Sequence, residues 1–168
     1  MITFILPGYS AHNKDWAEEV AKKIEIEGEV RPVFWDHWDD PEKTFNPKKK
    51  AQDVIDVLLK DNANIIEKSV GTLVAAHVVQ QIPTRIGKVI LCGIPSISDR
   101  RKEIFKKTFS QLDGNKIVVF QNSKDPFVTF AEVKKFVQEV NPKIRVVEKP
   151  RSDHNYPYTE DFEKFLKS

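Results

Sequence analysis

Ala63-Asn64-Ile65-Ile66-Glu67-Lys68-Ser69-Val70-Gly71-Thr72-Leu73-Val74-Ala75-Ala76 is the stretch on which the reading of this chain turns. A short apolar, β-branched run ends at a serine, and an almost wholly apolar helical pattern starts at the next residue. Strand, sharp turn carrying the serine, then helix is the layout of a nucleophile elbow. A serine hydroxyl is a poor nucleophile unless it is exposed, pre-aimed and close to a base. Such a turn lifts the hydroxyl above the sheet and puts backbone N–H groups and the positive helix end beneath it. Ser69 could also be an ordinary helix N-cap, but the preceding strand and Gly71 two residues on favour the elbow.

Outward from this segment, apolar runs and amphipathic patterns alternate along all 168 residues. The runs predict strands at 2–6, 30–34, 63–67, 88–92, 116–120 and 144–148. Apolar residues at one-face spacing predict helices at 14–25, 47–60, 70–81, 100–111, 130–140 and 159–167. Asn46-Pro47 and Thr129 with Glu132 are helix-start signals. Strands so short and apolar are expected to be buried on both faces, as in a parallel sheet wrapped by helices. The expected fold is therefore α/β: a three-layer sandwich on a six-stranded, mostly parallel sheet, forming one domain over 1–168. Ligand sites in such sheets lie at the strands' carboxyl ends.

The residues just past each predicted strand carry the chemistry. They are Pro7-Gly8-Tyr9-Ser10, Trp35-Asp36-His37-Trp38, Ser69, Gly93-Ile94-Pro95-Ser96, Asn122-Ser123-Lys124-Asp125-Pro126-Phe127 and Arg151-Ser152-Asp153-His154-Asn155-Tyr156. A serine, an acid and a histidine thus follow one another at successive strand ends. That chain order makes Ser69, Asp125 and His154 the candidate catalytic set. Asp153 is a weaker candidate for the acid, because adjacent loop side chains rarely form the carboxylate–imidazole contact that selects a tautomer. His77 lies within a helix, and His12 and His37 come too early in the chain to be the base.

In four of its segments the sequence resembles the α/β-hydrolase family. Lys-Ser-Val-Gly-Thr around Ser69 matches the elbow, Lys-Asp-Pro-Phe-Val around Asp125 the acid loop, and Asp-His-Asn-Tyr around His154 the base loop. Leu-Pro-Gly-Tyr at 6–9 matches the oxyanion turn. The resemblance implies a minimal fold without the family's first two strands or a lid, similar to the retinoblastoma-binding-protein-like serine hydrolases. It also implies that the N–H groups of Tyr9 and Val70 form the oxyanion hole. Two residues depart from the family pattern. Glu67 stands where a small residue is usual, and would crowd the elbow. Pro7 replaces a histidine in the oxyanion turn.

Composition narrows the partners. A net charge of +2 with 31% charged residues gives no footing for nucleic acid or an anionic membrane. The run Lys48-Lys49-Lys50 reads as a solvated helix face. The single cysteine, Cys92, sits in an apolar run and reads as a buried thiol, which suits a reducing compartment. The chain opens directly on a strand, with no signal-peptide pattern, so a cytoplasmic location is expected. No glycine-rich loop follows the first strand, which argues against a dinucleotide site. His37 with Asp36 and Asp39 lacks a metal-ligand spacing. Neither cofactor nor metal is expected.

The expected function is hydrolysis of a small or medium carboxylic ester or thioester through an acyl-enzyme, with that small molecule as the partner. The alternative, motivated by Glu67 and the missing lid, is a catalytically weak or inactive binding or scaffold protein with a protein partner. Trp35 and Trp38, flanking Asp36-His37, could be core or pocket wall. Without a lid they are the largest apolar surface available, so Trp35, His37 and Trp38 are expected to line the substrate site.

Overall fold

The computed structural model describes all residues, 1–168. Its strands are β1 (Ile2–Leu6), β2 (Glu29–Pro32), β3 (Ala63–Lys68), β4 (Ile86–Cys92), β5 (Ile117–Asn122) and β6 (Arg145–Lys149). Between and after them run α1 (Asn13–Lys23), α2 (Pro47–Leu58), α3 (Gly71–Gln81), α4 (Asp99–Phe109), α5 (Phe130–Val140) and α6 (Thr159–Lys167). The sheet order is β2-β1-β3-β4-β5-β6, and every neighbouring pair is parallel.

Side-chain alternation along the strands divides the core into two layers. Phe4, Leu6, Ile65, Leu91 and Val119 face α2 to α5, in a cluster with Val54, Val78, Phe105 and Phe136. Ile5, Ile66, Cys92, Val118 and Phe120 face α1 and α6, packing on Trp16, Val20 and Phe162. Burial on both faces holds for the four central strands. The edge strands β2 and β6 are half-exposed, since each has a neighbour on one side only. β2 stops at Pro32, two residues before the expected end. Its partner β1 ends at Leu6, one residue beyond the Ile5–Pro32 pair.

Helix starts follow local chemistry. Asn46 Oδ1 accepts from the N–H groups of Lys48 and Lys49, both at 3.1 Å, satisfying donors the first helical turn leaves open. Thr129 and Glu132 form a reciprocal capping box at α5. No helix is long and apolar enough to cross a membrane.

Candidate active site

β3 ends at Lys68 and α3 begins at Gly71, leaving two residues to reverse direction. Ser69 takes a positive φ of 56°, one of only two non-glycine residues to do so. That left-handed backbone costs a non-glycine residue about 1–3 kcal/mol and persists only where its surroundings impose it. Here they do. The Ser69 N–H donates to the Cys92 carbonyl at 3.0 Å, and the Ser69 carbonyl accepts from the Thr72 N–H and, at 2.6 Å, from Thr72 Oγ1. A Cβ on Gly71 would lie 2.3 Å from the Leu6 carbonyl oxygen. Only glycine therefore lets the turn pack against the end of β1. The N–H groups of Tyr9 and Val70 donate to no other group of the chain.

Asp125 follows β5 and is 3% exposed. His154 Nδ1 lies 2.6 Å from Asp125 Oδ2, which also accepts from Tyr156 Oη at 2.6 Å. Asp125 Oδ1 accepts from the Phe127 N–H at 2.9 Å. Burial pushes the Asp125 carboxyl up, but the hydrogen bonds from His154, Tyr156 and Phe127 outweigh it and hold the pKa below the ordinary value. Burial and the neighbouring Asp125 push the Tyr156 phenol well above its own. A carboxylate on Nδ1 selects the tautomer that leaves Nε2 without a proton. His154 Nε2 is buried and meets no hydrogen-bond partner in the chain.

Two buried amides at the end of β5 hold these loops in place. Gln121 Nε2 donates to the Val128 carbonyl at 2.6 Å and its Oε1 accepts from the Ile94 N–H, tying the acid loop to the loop after β4. Asn122 Nδ2 donates to the carbonyls of Asp153 and Asn155 at 2.7 and 2.9 Å, clamping the base loop on either side of His154. Asp153 itself turns outward onto Arg151. The holding roles of Gln121, Asn122 and Tyr156 carried no signal in the sequence, because they rest on contacts with distant loops.

Ser69 and His154 face a common open cleft of about 530 Å³. No hydrogen bond joins the Ser69 hydroxyl to His154, a contact that in unliganded sites often tightens only with substrate. The cleft's apolar walls are Tyr9, Trp16 and Phe127, with His12, Asn13 and Lys68 as polar lining.

The tryptophan segment, expected to line the substrate site, lies behind the turn after β1. Trp35 is 1% exposed and belongs to the core, its Nε1 donating to the Gly8 carbonyl at 2.8 Å. Trp38 Nε1 donates to the Tyr9 carbonyl at 2.7 Å, and His37 Nε2 lies 2.9 Å from the same oxygen with its ring stacked on Tyr9. None of the three lines the cleft. They brace the turn after β1 from behind, and buried indole N–H groups need such acceptors. Lys50, expected in solvent, is largely buried against Asp36 at 2.8 Å and Asp53, securing the same segment.

Glu67 does not crowd the elbow. Strand alternation turns it away from the cleft into the α2–α5 layer, where it is 1% exposed among Thr72, Ala75, Val79 and Phe105. Its Oε2 has no partner, and burial raises its pKa well above the ordinary value.

No family model matches this sequence, and no curated protein matches it. Solved structures do. Alpha/beta hydrolase domain-containing protein 10 from mouse aligns over 99% of this chain and 86% of its own, at 15% identity and a TM-score of 0.63. A serine hydrolase without a lid from Xanthomonas campestris aligns over 99% and 78%, at 14% identity and a TM-score of 0.68. The fold is that of the α/β hydrolases. A pyrethroid hydrolase from Sphingobium faniae shares that α/β-hydrolase fold over 99% of this chain and 97% of its own, at 12% identity and a TM-score of 0.69. At 12–15% identity the likeness establishes the α/β-hydrolase fold and no branch within it.

Proposed function

We propose that this protein is a serine hydrolase of small or medium carboxylic esters or thioesters, working through an acyl-enzyme. One observation carries the reading: Asp125 holds His154 so that a buried, unpartnered Nε2 shares a cleft with a serine on a strained strand-to-helix turn. Nε2 takes the Ser69 proton as the hydroxyl attacks the acyl carbon. The same nitrogen returns it to the leaving alcohol or thiol, and then activates water to cleave the acyl-enzyme. Asp125 stabilises the imidazolium formed in each half. The N–H groups of Val70 and Tyr9 receive the oxyanion, and the positive end of α3 adds to the field. The short apolar walls of Tyr9, Trp16 and Phe127 suit a small or medium group. Glu67, turned into the opposite layer, lends no support to a binding-protein reading.

A fluorophosphonate probe tests the assignment, because it labels only an activated serine. Wild-type protein should be modified at Ser69 and should turn over 4-nitrophenyl butyrate. Ser69→Ala should lose both, with its melting temperature nearly unchanged, since a small hydroxyl contributes little packing. A purified Ser69→Ala protein that still turns over the ester would sink the assignment.

A further inference from the structure

Lys68 takes no part in this chemistry, yet it is the residue before Ser69 and lines the same cleft. It is 7% exposed, and a lysine so buried normally has a carboxylate partner. Lys68 has none within ion-pair distance. Its one hydrogen bond goes to a neutral group, Asn13 Oδ1 at 2.8 Å, and its Nζ lies 5.6 Å from the centre of the Trp16 ring. An ammonium has three N–H donors, so two remain open at the cleft.

The nearby acids are already engaged. Asp125 is held by His154 and Tyr156, and Asp153 is held by Arg151. Burial draws the Lys68 pKa below the ordinary lysine value, and the fields of Asp153 and Asp125 offset only part of that. Asn13 fixes the amine in place, its Nδ2 donating to both the carbonyl and the hydroxyl of Ser10 at 3.0 Å. The outcome is a positioned cation with open donors, one residue from the nucleophile, in a cleft with no acidic lining residue.

We infer that Lys68 is the anion-binding group of this site, and that the substrate ester or thioester carries a carboxylate. The inference rests on the hydrolase reading above for the ester, but not for the anion. A carboxylate fits better than a phosphate. The cleft offers a single lysine and no arginine, while phosphate dianions are commonly held by guanidinium forks or a helix N-terminus. Here the start of α3 serves the oxyanion.

Two matched pairs of esters test it, with uncatalysed rates subtracted. Mono-4-nitrophenyl glutarate against its methyl ester puts the charge on the acyl side. 4-Carboxyphenyl butyrate against its methyl ester puts it on the alcohol side. Wild-type protein should prefer the anionic member of one pair at least tenfold in kcat/KM, mainly through KM. Lys68→Met should bring that ratio close to one. Equal use of both members of both pairs by wild-type protein would overturn the inference and leave the hydrolase reading standing, as would an anionic preference that survives in Lys68→Met. The wild-type ratios need no variant, so they decide the matter even if Lys68→Met fails to fold. Should wild-type protein cleave no ester, the hydrolase reading fails by itself. Calorimetric titration with glutarate then decides the anion site: binding to wild-type protein supports it, and no binding overturns it.

Discussion

Glu67 and Lys68 are adjacent in sequence and both are buried, yet they lie on opposite faces of β3 and meet opposite conditions. Glu67 points into a dry, tightly packed layer, where the space beside it is about 10 Å³, at the lower limit for one water molecule. With Oε2 unpartnered, its cheapest state is the protonated one, since a carboxyl in such a place neutralises rather than bear the desolvation of a charge. Lys68 points to the layer of α1, where the helix leaves a cleft over the strand end, and there an amine can remain charged at the edge of water. One step of alternation separates a passive core group from a candidate binding group. The candidate cleft opens on the side that Lys68 faces.

The largest kinetic loss is expected from the residue that holds the imidazole. Asp125→Asn should lower kcat/KM by about 10³–10⁴-fold with the protein still folded, because the amide favours the wrong histidine tautomer. Asp153→Asn, directed at an outward-turned side chain, should cost far less. Steady-state kinetics on 4-nitrophenyl butyrate compare the two, and a larger loss in Asp153→Asn would reverse the choice of acid.

On the other face, Glu67→Met should leave kinetics alone and act on stability. The Glu67 pKa is raised in the folded state, so the native protein holds this proton more tightly than the unfolded chain. The group therefore adds to stability at low pH, and that contribution is lost as pH rises above about 4.5, the ordinary glutamate value, toward the folded pKa. Replacing an unsatisfied buried carboxyl with an apolar side chain of similar length should stabilise the protein by about 1–3 kcal/mol at pH 8, and by less at pH 4. Urea denaturation at both pH values measures this. An equal effect at the two would mean that Glu67 does not titrate with folding.

The smallest effect sharpens the picture of the acid–base corner. Tyr156→Phe removes a donor to Asp125 Oδ2 and an acceptor of the Asn122 N–H. It should cost about 1–2 kcal/mol in stability and lower kcat by less than tenfold, since His154 keeps its own bond to the carboxylate. A loss as large as that of Asp125→Asn would make the tyrosine, rather than the aspartate alone, responsible for holding the imidazole.

Much of this was legible in sequence, because it depends on local spacing. The short β-branched runs, the one-face helical patterns, Asn46-Pro47 and the Thr129–Glu132 box each act within a few residues, and the observed elements lie close to their expected ends. The order of Ser69, Asp125 and His154, past the ends of β3, β5 and β6, was equally plain. The placing of Trp35–Trp38 was not legible, because an aromatic cluster looks the same whether it walls a pocket or braces a turn from behind. What separates the two cases is the acceptor each indole finds, and those acceptors, the carbonyls of Gly8 and Tyr9, lie 27 to 29 residues away.

The sequence by itself determined the α/β alternation, the elbow and the residues offered at each strand end, since backbone propensity and side-chain periodicity are properties of neighbours. Only the tertiary structure decided that Glu67 lies in the core and Lys68 on the cleft, that Gly71 must be glycine because β1 passes beside it, and that Tyr156, Gln121 and Asn122 hold the acid and base loops. Each of those depends on which helix covers which face and how closely two distant strand ends approach, and a single chain's local pattern carries neither distance.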